Sequence, residues 1–139
     1  MIRKSLAILL AVTLLVFIVP RQQVFAAQQD DTTFENPLIW ADVPDPDVIR
    51  VGDTYYMTST TMHMNPGVPI MKSNDLVHWE IVNYVYDILA DEDEQTLRNG
   101  KNDYSKGSWA SSIRYHEGKY YIAFASYNTG KTYIYQTSD

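Results

Sequence analysis

The sequence predicts an all-β chain assembled from propeller-type blades, and three observations lead there. From Asn36 onward the chain consists of short runs rich in Tyr, Thr and β-branched residues, separated by turn dipeptides such as Gly52-Asp53 and Glu117-Gly118. That is the composition and punctuation of strands and hairpins. No segment after residue 27 carries a sustained helical period. Landmarks also recur in order: Ile49-Arg50 returns as Ile113-Arg114, Tyr55-Tyr56 as Tyr120-Tyr121, and Lys72-Ser73-Asn74-Asp75 in kind as Gln136-Thr137-Ser138-Asp139. The offsets are 64, 65 and 64 residues, and one extra residue in the Glu117-Gly118 turn accounts for the difference. A repeated set of about four strands at this period matches propeller blades better than other repeat architectures.

Residues 1–26 read as a secretory signal peptide. Arg3 and Lys4 supply a positive start, residues 6–19 form an uncharged apolar run, and Val24-Phe25-Ala26-Ala27 offers small residues for cleavage after Ala26. The run is short for a membrane-crossing helix, which needs ~20 apolar residues. The expected location is therefore secreted or periplasmic, with no membrane association after cleavage. Residues 27–35 are polar and read as a flexible leader. Strands are expected at 47–51, 54–61, 68–72 and 78–86, with residues 91–102 as a charged loop. These divide the remainder, 36–139, into a first blade at about 44–90 and an incomplete second blade at about 108–139. The second unit reaches Asp139 where its fourth strand should begin. Propellers close with about four to eight blades, so the sequence reads as the opening of a longer propeller, inactive by itself.

The chain has 17 acidic and 11 basic residues and a formal charge of −6. Loss of residues 1–26 removes Arg3, Lys4 and Arg21 but no acid, which makes the remainder more acidic still. Such a surface repels phosphate backbones, so nucleic acid is not an expected partner. There is no cysteine, so export brings no disulfide and the core must hold by packing. His63, His78 and His116 lack metal-ligand spacing, and neither a metal nor another cofactor is implied.

The densest acidic feature is Asp42-Val43-Pro44-Asp45-Pro46-Asp47. Pro44 and Pro46 flank Asp45. A residue before proline is pushed toward extended backbone, so Asp45 is expected to be held rigidly, in extended form, at the entrance to the first strand. In a propeller that strand lines the central channel, and Asp45 would stand at its mouth. A plain turn Asp is the competing reading.

Asn36-Pro37, Pro44-Asp45-Pro46-Asp47 and Arg50-Val51-Gly52-Asp53-Thr54-Tyr55-Tyr56 together resemble the opening of glycoside hydrolase family 43. Pro66-Gly67-Val68, Ser73-Asn74-Asp75-Leu76-Val77-His78-Trp79, and Trp109-Ala110 followed by Ile113, Tyr115, His116, Gly118 and Tyr120-Tyr121 continue the likeness. The resemblance implies a five-bladed β-propeller, of which about the first two blades are present here. It further implies inverting hydrolysis of xylosidic or arabinofuranosidic bonds in hemicellulose-derived oligosaccharides or polysaccharides. Inversion uses a general acid and a general base about 6.5–9.5 Å apart on opposite faces of the sugar. The family's base is the Asp preceding Pro, which falls on Asp45. Its acid is a Glu of a later blade, which Glu92, Glu94 and Glu117 do not match, and a further Asp tunes that acid. By the same resemblance Trp109 and Ala110 line the innermost sugar subsite, with Ser111 where relatives usually have Pro. His63, where many relatives place an aromatic, is a candidate donor to a sugar hydroxyl and equally a plain loop histidine. His78 and Trp79 are expected to pack within the first blade. The alternatives to an enzyme are a non-catalytic carbohydrate-binding propeller and a non-functional remnant.

Overall fold

A computed structural model describes residues 33–62 and 65–138. The expected signal peptide, most of the leader and His63 lie outside the described residues. Among those described, all regular elements are strands, in chain order β1 (Asp47–Val51), β2 (Thr54–Thr58), β3 (Gly67–Ser73), β4 (Glu80–Tyr86), β5 (Ser112–His116), β6 (Lys119–Ser126) and β7 (Lys131–Thr137). They form two antiparallel sheets, ordered β1-β2-β3-β4 and β5-β6-β7. The fold is all-β, and the two sheets are adjacent blades of a propeller type.

Each hairpin follows from its turn. β1 ends at Val51 and β2 resumes at Thr54 across Gly52-Asp53. β5 ends at His116 and β6 resumes at Lys119 across Glu117-Gly118. Glu117 and Gly118 both have positive φ, 48° and 78°, as the tightest hairpin turn demands. Both turns therefore hold two residues, and the extra residue expected in the second is not there. Val48 lies opposite Met57 and Ile113 lies opposite Ile122, so Ile113 is the counterpart of Val48, and Arg114 that of Ile49. The Tyr and Lys72/Gln136 landmarks do hold: Tyr56 faces Lys72 as Tyr121 faces Gln136. The first landmark slipped by one because Ile and Val are interchangeable by eye, whereas a one-residue slip in a strand moves every side chain to the other face.

That face assignment builds the core. Val68, Tyr86, Ile113, Ile122 and Phe124 are buried together, and Ile49, Tyr56, Ile70, Val85, Tyr133 and Tyr135 pack against them. The cluster draws on both sheets, so it is the seam between the blades. Phe124 stacks on Tyr86, Tyr133 and Tyr135 at 5.6, 5.5 and 5.9 Å, and Tyr56 meets Tyr120 at 5.1 Å. Aromatic pairs of this kind add ~0.5–1.5 kcal/mol each beyond area burial. Ile113, 1% exposed, is the sheet-two residue sealed deepest in the seam, and full burial of such a side chain is worth ~1.5–3 kcal/mol. Gly67 is required where Tyr86 crosses it: a Cβ there would sit 2.0 Å from the ring carbon Cζ.

His78 does not pack within the first blade. It lies exposed on the β3–β4 turn, with Nδ1 2.7 Å from Asp75 Oδ2. Asp75 organises that turn by accepting from the backbone N–H groups of Val77 and His78, each at 2.8 Å. The His78 ring and these amides hold the Asp75 carboxyl well below its ordinary range. The turn is at the opposite end of the sheet from Asp47.

Candidate active site

The N-terminal ends of β1 and β5 and the C-terminal ends of β2 and β6 share one end of the two sheets. The residues there are polar yet buried. Thr58, Ser59, Thr60 and Thr61 are 0–7% exposed, and Ser108 and Ser111 are equally enclosed. Such a run is tolerable only if every group finds a partner. Ser59 Oγ donates to Pro44 O at 2.6 Å, and Thr60 N donates to the same carbonyl at 3.2 Å. Thr60 Oγ1 donates to Ser108 O, as does Met62 N at 3.0 Å. Thr61 N donates to Ser108 Oγ at 3.2 Å. Ser111 Oγ and Thr58 Oγ1 are 2.9 Å apart, so the Ser111 hydroxyl bonds across the blade seam. Gly107 completes the seam. A Cβ there would lie 2.5 Å from Met62 O and 2.9 Å from Asp103 Oδ2, so no larger residue fits without displacing backbone.

Asp45 stands on this scaffold, exposed, two residues before β1. Its backbone is not extended. φ is +49°, in the left-handed region. Proline at 46 disfavours the right-handed helical region rather than forcing a β conformation, and Asp is among the residues that tolerate the left-handed one. Anchors on both sides impose it. Pro44 O is tied to the end of β2, and Asp47 is tied to the neighbouring blade. A non-glycine residue held in this region costs ~1–3 kcal/mol, and such strain collects at functional sites.

Asp47 is the residue the sequence reading undervalued. Its Oδ2 accepts from Ile113 N at 2.9 Å, Ser112 Oγ at 3.1 Å and Arg114 Nη1 at 2.6 Å, all on β5. Burial alone would raise its pKa, but the Ile113 amide, the Arg114 guanidinium and the Ser112 hydroxyl outweigh it and hold the carboxyl below its ordinary value. An acid at the first residue of a channel strand was visible in the sequence. Its three donors on another strand were not.

Trp109 and Ala110 lie three and two residues before β5, so the fold brings them to the same end as Asp45. Trp109 N donates to Ala125 O at 2.9 Å, and its ring meets Tyr127 edge-on at 4.9 Å. Its indole Nε1 is buried without a hydrogen-bond partner. Ala110 is exposed. His63 lies outside the described residues. Its neighbour Met62 is bonded to Ser108, which carries the start of that loop to the same end.

Asp103, unlike Asp47, carries no sequence signal. It is 4% exposed, and Gln95 Nε2 donates to its Oδ2 at 2.5 Å, while Oδ1 has no partner. Gln95, itself buried, also receives Asn65 Nδ2 on its backbone carbonyl at 2.6 Å. Burial pushes Asp103 up to about 6. Glu92 and Glu94 push the same way, and Lys106 and the Gln95 amide oppose them. Among the described residues no cluster of three His, Cys, Asp or Glu side chains is arranged to hold a metal ion. A groove of 580 Å³ lies along the seam, lined by Tyr56, Ile70, Val85, Ile113, Ile122 and Tyr135 among others, and neither Asp45 nor Trp109 lines it.

Residues 34–138 match the sequence profile of glycosyl hydrolases family 43. A beta-xylosidase of Formosa agariphila is 43% identical over 102 residues, which are 73% of this chain and 17% of that protein. A non-reducing end alpha-L-arabinofuranosidase of Bacteroides ovatus is 37% identical over 95 residues, 68% of this chain and 17% of that protein. Among solved structures, a bifunctional GH43-CE protein of Bacteroides eggerthii superposes with a TM-score of 0.71 at 62% identity, over 75% of this chain and 13% of that one. The chain thus spans about a sixth of the length of the curated relatives it matches.

Proposed function

The chain belongs to glycosyl hydrolase family 43, and from that we propose that its described residues form the water-activating side of an inverting glycosidase acting on xylosides or arabinofuranosides. Asp45 is the general base, and Trp109 and Ala110 border the sugar. The observation that carries this reading is the placement of Asp45. An exposed carboxylate is fixed on a φ +49° backbone between two anchors, at the strand ends it shares with Trp109. A base must stay ionised and be aimed at one water, and rigid placement serves the second need. Aromatic rings take the C–H faces of sugars, which is the role proposed for the Trp109 ring.

No Glu among the described residues is assigned as the acid in this reading. Glu94 is paired with Lys101 at 3.3 Å and Glu80 with Lys72 at 3.0 Å. Glu117 sits in the β5–β6 turn, at the far end from Asp45. As the family resemblance implies, the acid is assigned to a Glu of a later blade. A chimera in which residues 34–138 replace the matching span of the Bacteroides eggerthii relative tests the whole reading. It is expected to hydrolyse nitrophenyl β-xyloside or α-L-arabinofuranoside, while the 139-residue chain alone does not. A folded chimera that binds xylo- or arabino-oligosaccharides without turnover would support a binding module instead.

A further inference from the structure

We infer that Asp47 is a positioning residue that sets the location of Asp45 by clamping the start of β1 to the neighbouring blade. The inference rests on the reading of Asp45 as the base. One oxygen of Asp47 gathers three donors from three consecutive residues of β5: the Ser112 hydroxyl, the Ile113 amide and the Arg114 guanidinium. The Asp47 side chain is 29% exposed, while its Arg114 partner is 66% exposed, so the Ser112 and Ile113 donors form the shielded part of the clamp and the Arg114 pair its solvent-facing part. A strand start needs no such arrangement for its own sake, since β1 is already paired with β2 along its whole length, including Asp47 with Thr58.

The link to Asp45 is short and stiff. Only Pro46 separates the two acids, and its ring fixes φ near −65°. Asp45 in turn follows Pro44, whose carbonyl is held by Ser59 and Thr60 of blade one. The base thus sits on a four-residue bridge anchored to blade one at Pro44 and to blade two at Asp47. With the blade-two anchor released, the left-handed φ of Asp45 can relax, and the carboxylate moves relative to a sugar bordered by Trp109 of that same blade. Displacements of about 1 Å at a reacting group cost ~10²-fold in rate. Arg114 occupies the counterpart position of Ile49, so the basic partner appears in the second blade only, where Asp47 can reach it.

The test places Asp47→Ala, Asp47→Asn and Asp45→Asn separately in the chimera, with rates normalised to folded protein by circular dichroism. Asp47→Ala is expected to lower kcat ~10–100-fold with KM little changed. Asp47→Asn, which keeps an acceptor for the Ile113 amide but loses the charge facing Arg114, is expected to recover part of that loss and guards against misfolding of the alanine variant. A kcat within twofold of the parent for both Asp47 variants, while Asp45→Asn abolishes turnover, would overturn the positioning role and leave the base in place. A loss at Asp47 matched by an equal loss of folded protein would reduce the clamp to a purely structural one and also overturn it. Full turnover in Asp45→Asn would overturn both assignments.

Discussion

Asp45→Asn in the chimera lowers kcat by ~10²–10⁴-fold and leaves KM for either nitrophenyl glycoside nearly unchanged. The substitution keeps the size and shape of the side chain and removes only its ability to take a proton from water. Asp45 is exposed, so no buried charge or packing is disturbed and the protein should melt as the parent does. Loss of a base raises the barrier to attack without touching the sugar's contacts, which is why the effect falls on kcat rather than KM. Added azide, which needs no deprotonation, is expected to restore part of the rate. Unchanged turnover in folded protein would pass the role to Asp42, the remaining acid of the motif, because the Asp47 carboxylate is already engaged by Ser112, Ile113 and Arg114.

Asp103→Asn is expected to stabilise the loop before Trp109 at neutral pH and to do little in acid. Asp103 has its pKa raised from 3.8 to about 6 in the folded protein. A carboxyl with a raised folded-state pKa binds its proton more tightly when folded. Its penalty is therefore absent below about 4, grows as pH rises from 4 to 6, and is complete above 6. A shift of about two units corresponds to about 3 kcal/mol, and the side chain is only 4% exposed, so solvent screens it little. The amide protons of Lys106 and Gly107, which donate to Asp103 O and Met62 O, report opening of this loop. In the chimera at pH 7.5 their exchange should slow by ~10–100-fold in Asp103→Asn once the buried charge is gone. At pH 4 the two proteins should match. An equal difference at both pH values would mean that the carboxylate is not strained, and that the change acts through the Gln95 contact instead.

What the sequence revealed and what it hid divide along the range of the interactions involved. The hairpins were legible because Gly52-Asp53 and Glu117-Gly118 specify their turns locally and Tyr/Thr-rich runs flank them. The repeat was legible through Tyr55-Tyr56 and Tyr120-Tyr121. The register of its first landmark was not, since only the pairing of Val48 with Met57 and of Ile113 with Ile122 tells the two faces apart. Asp45 could be located from its prolines, but its backbone could not. The left-handed φ is imposed by Ser59 and Thr60 on one side and by β5 on the other, contacts between residues distant in sequence. The burial of Asp103 gave no signal at all. It is one polar residue in a polar stretch, enclosed only because Gln95, Gly107 and the Met62 turn converge on it. The Thr58-Ser59-Thr60-Thr61 run was visible as strand-like composition, yet its role as the polar weld between blades depends on Pro44, Ser108 and Ser111.

The measurement that tests the central claim most directly is the configuration of the first sugar released by the chimera, followed by proton NMR before mutarotation. A base at Asp45 that activates water requires attack opposite the leaving group, with the two carboxyls about 6.5–9.5 Å apart. A β-xyloside should then yield α-xylose first, and Asp45→Asn should suppress that signal. Release of β-xylose as the first product would mean that a carboxylate attacks the sugar directly, and would contradict Asp45 as a water-activating base.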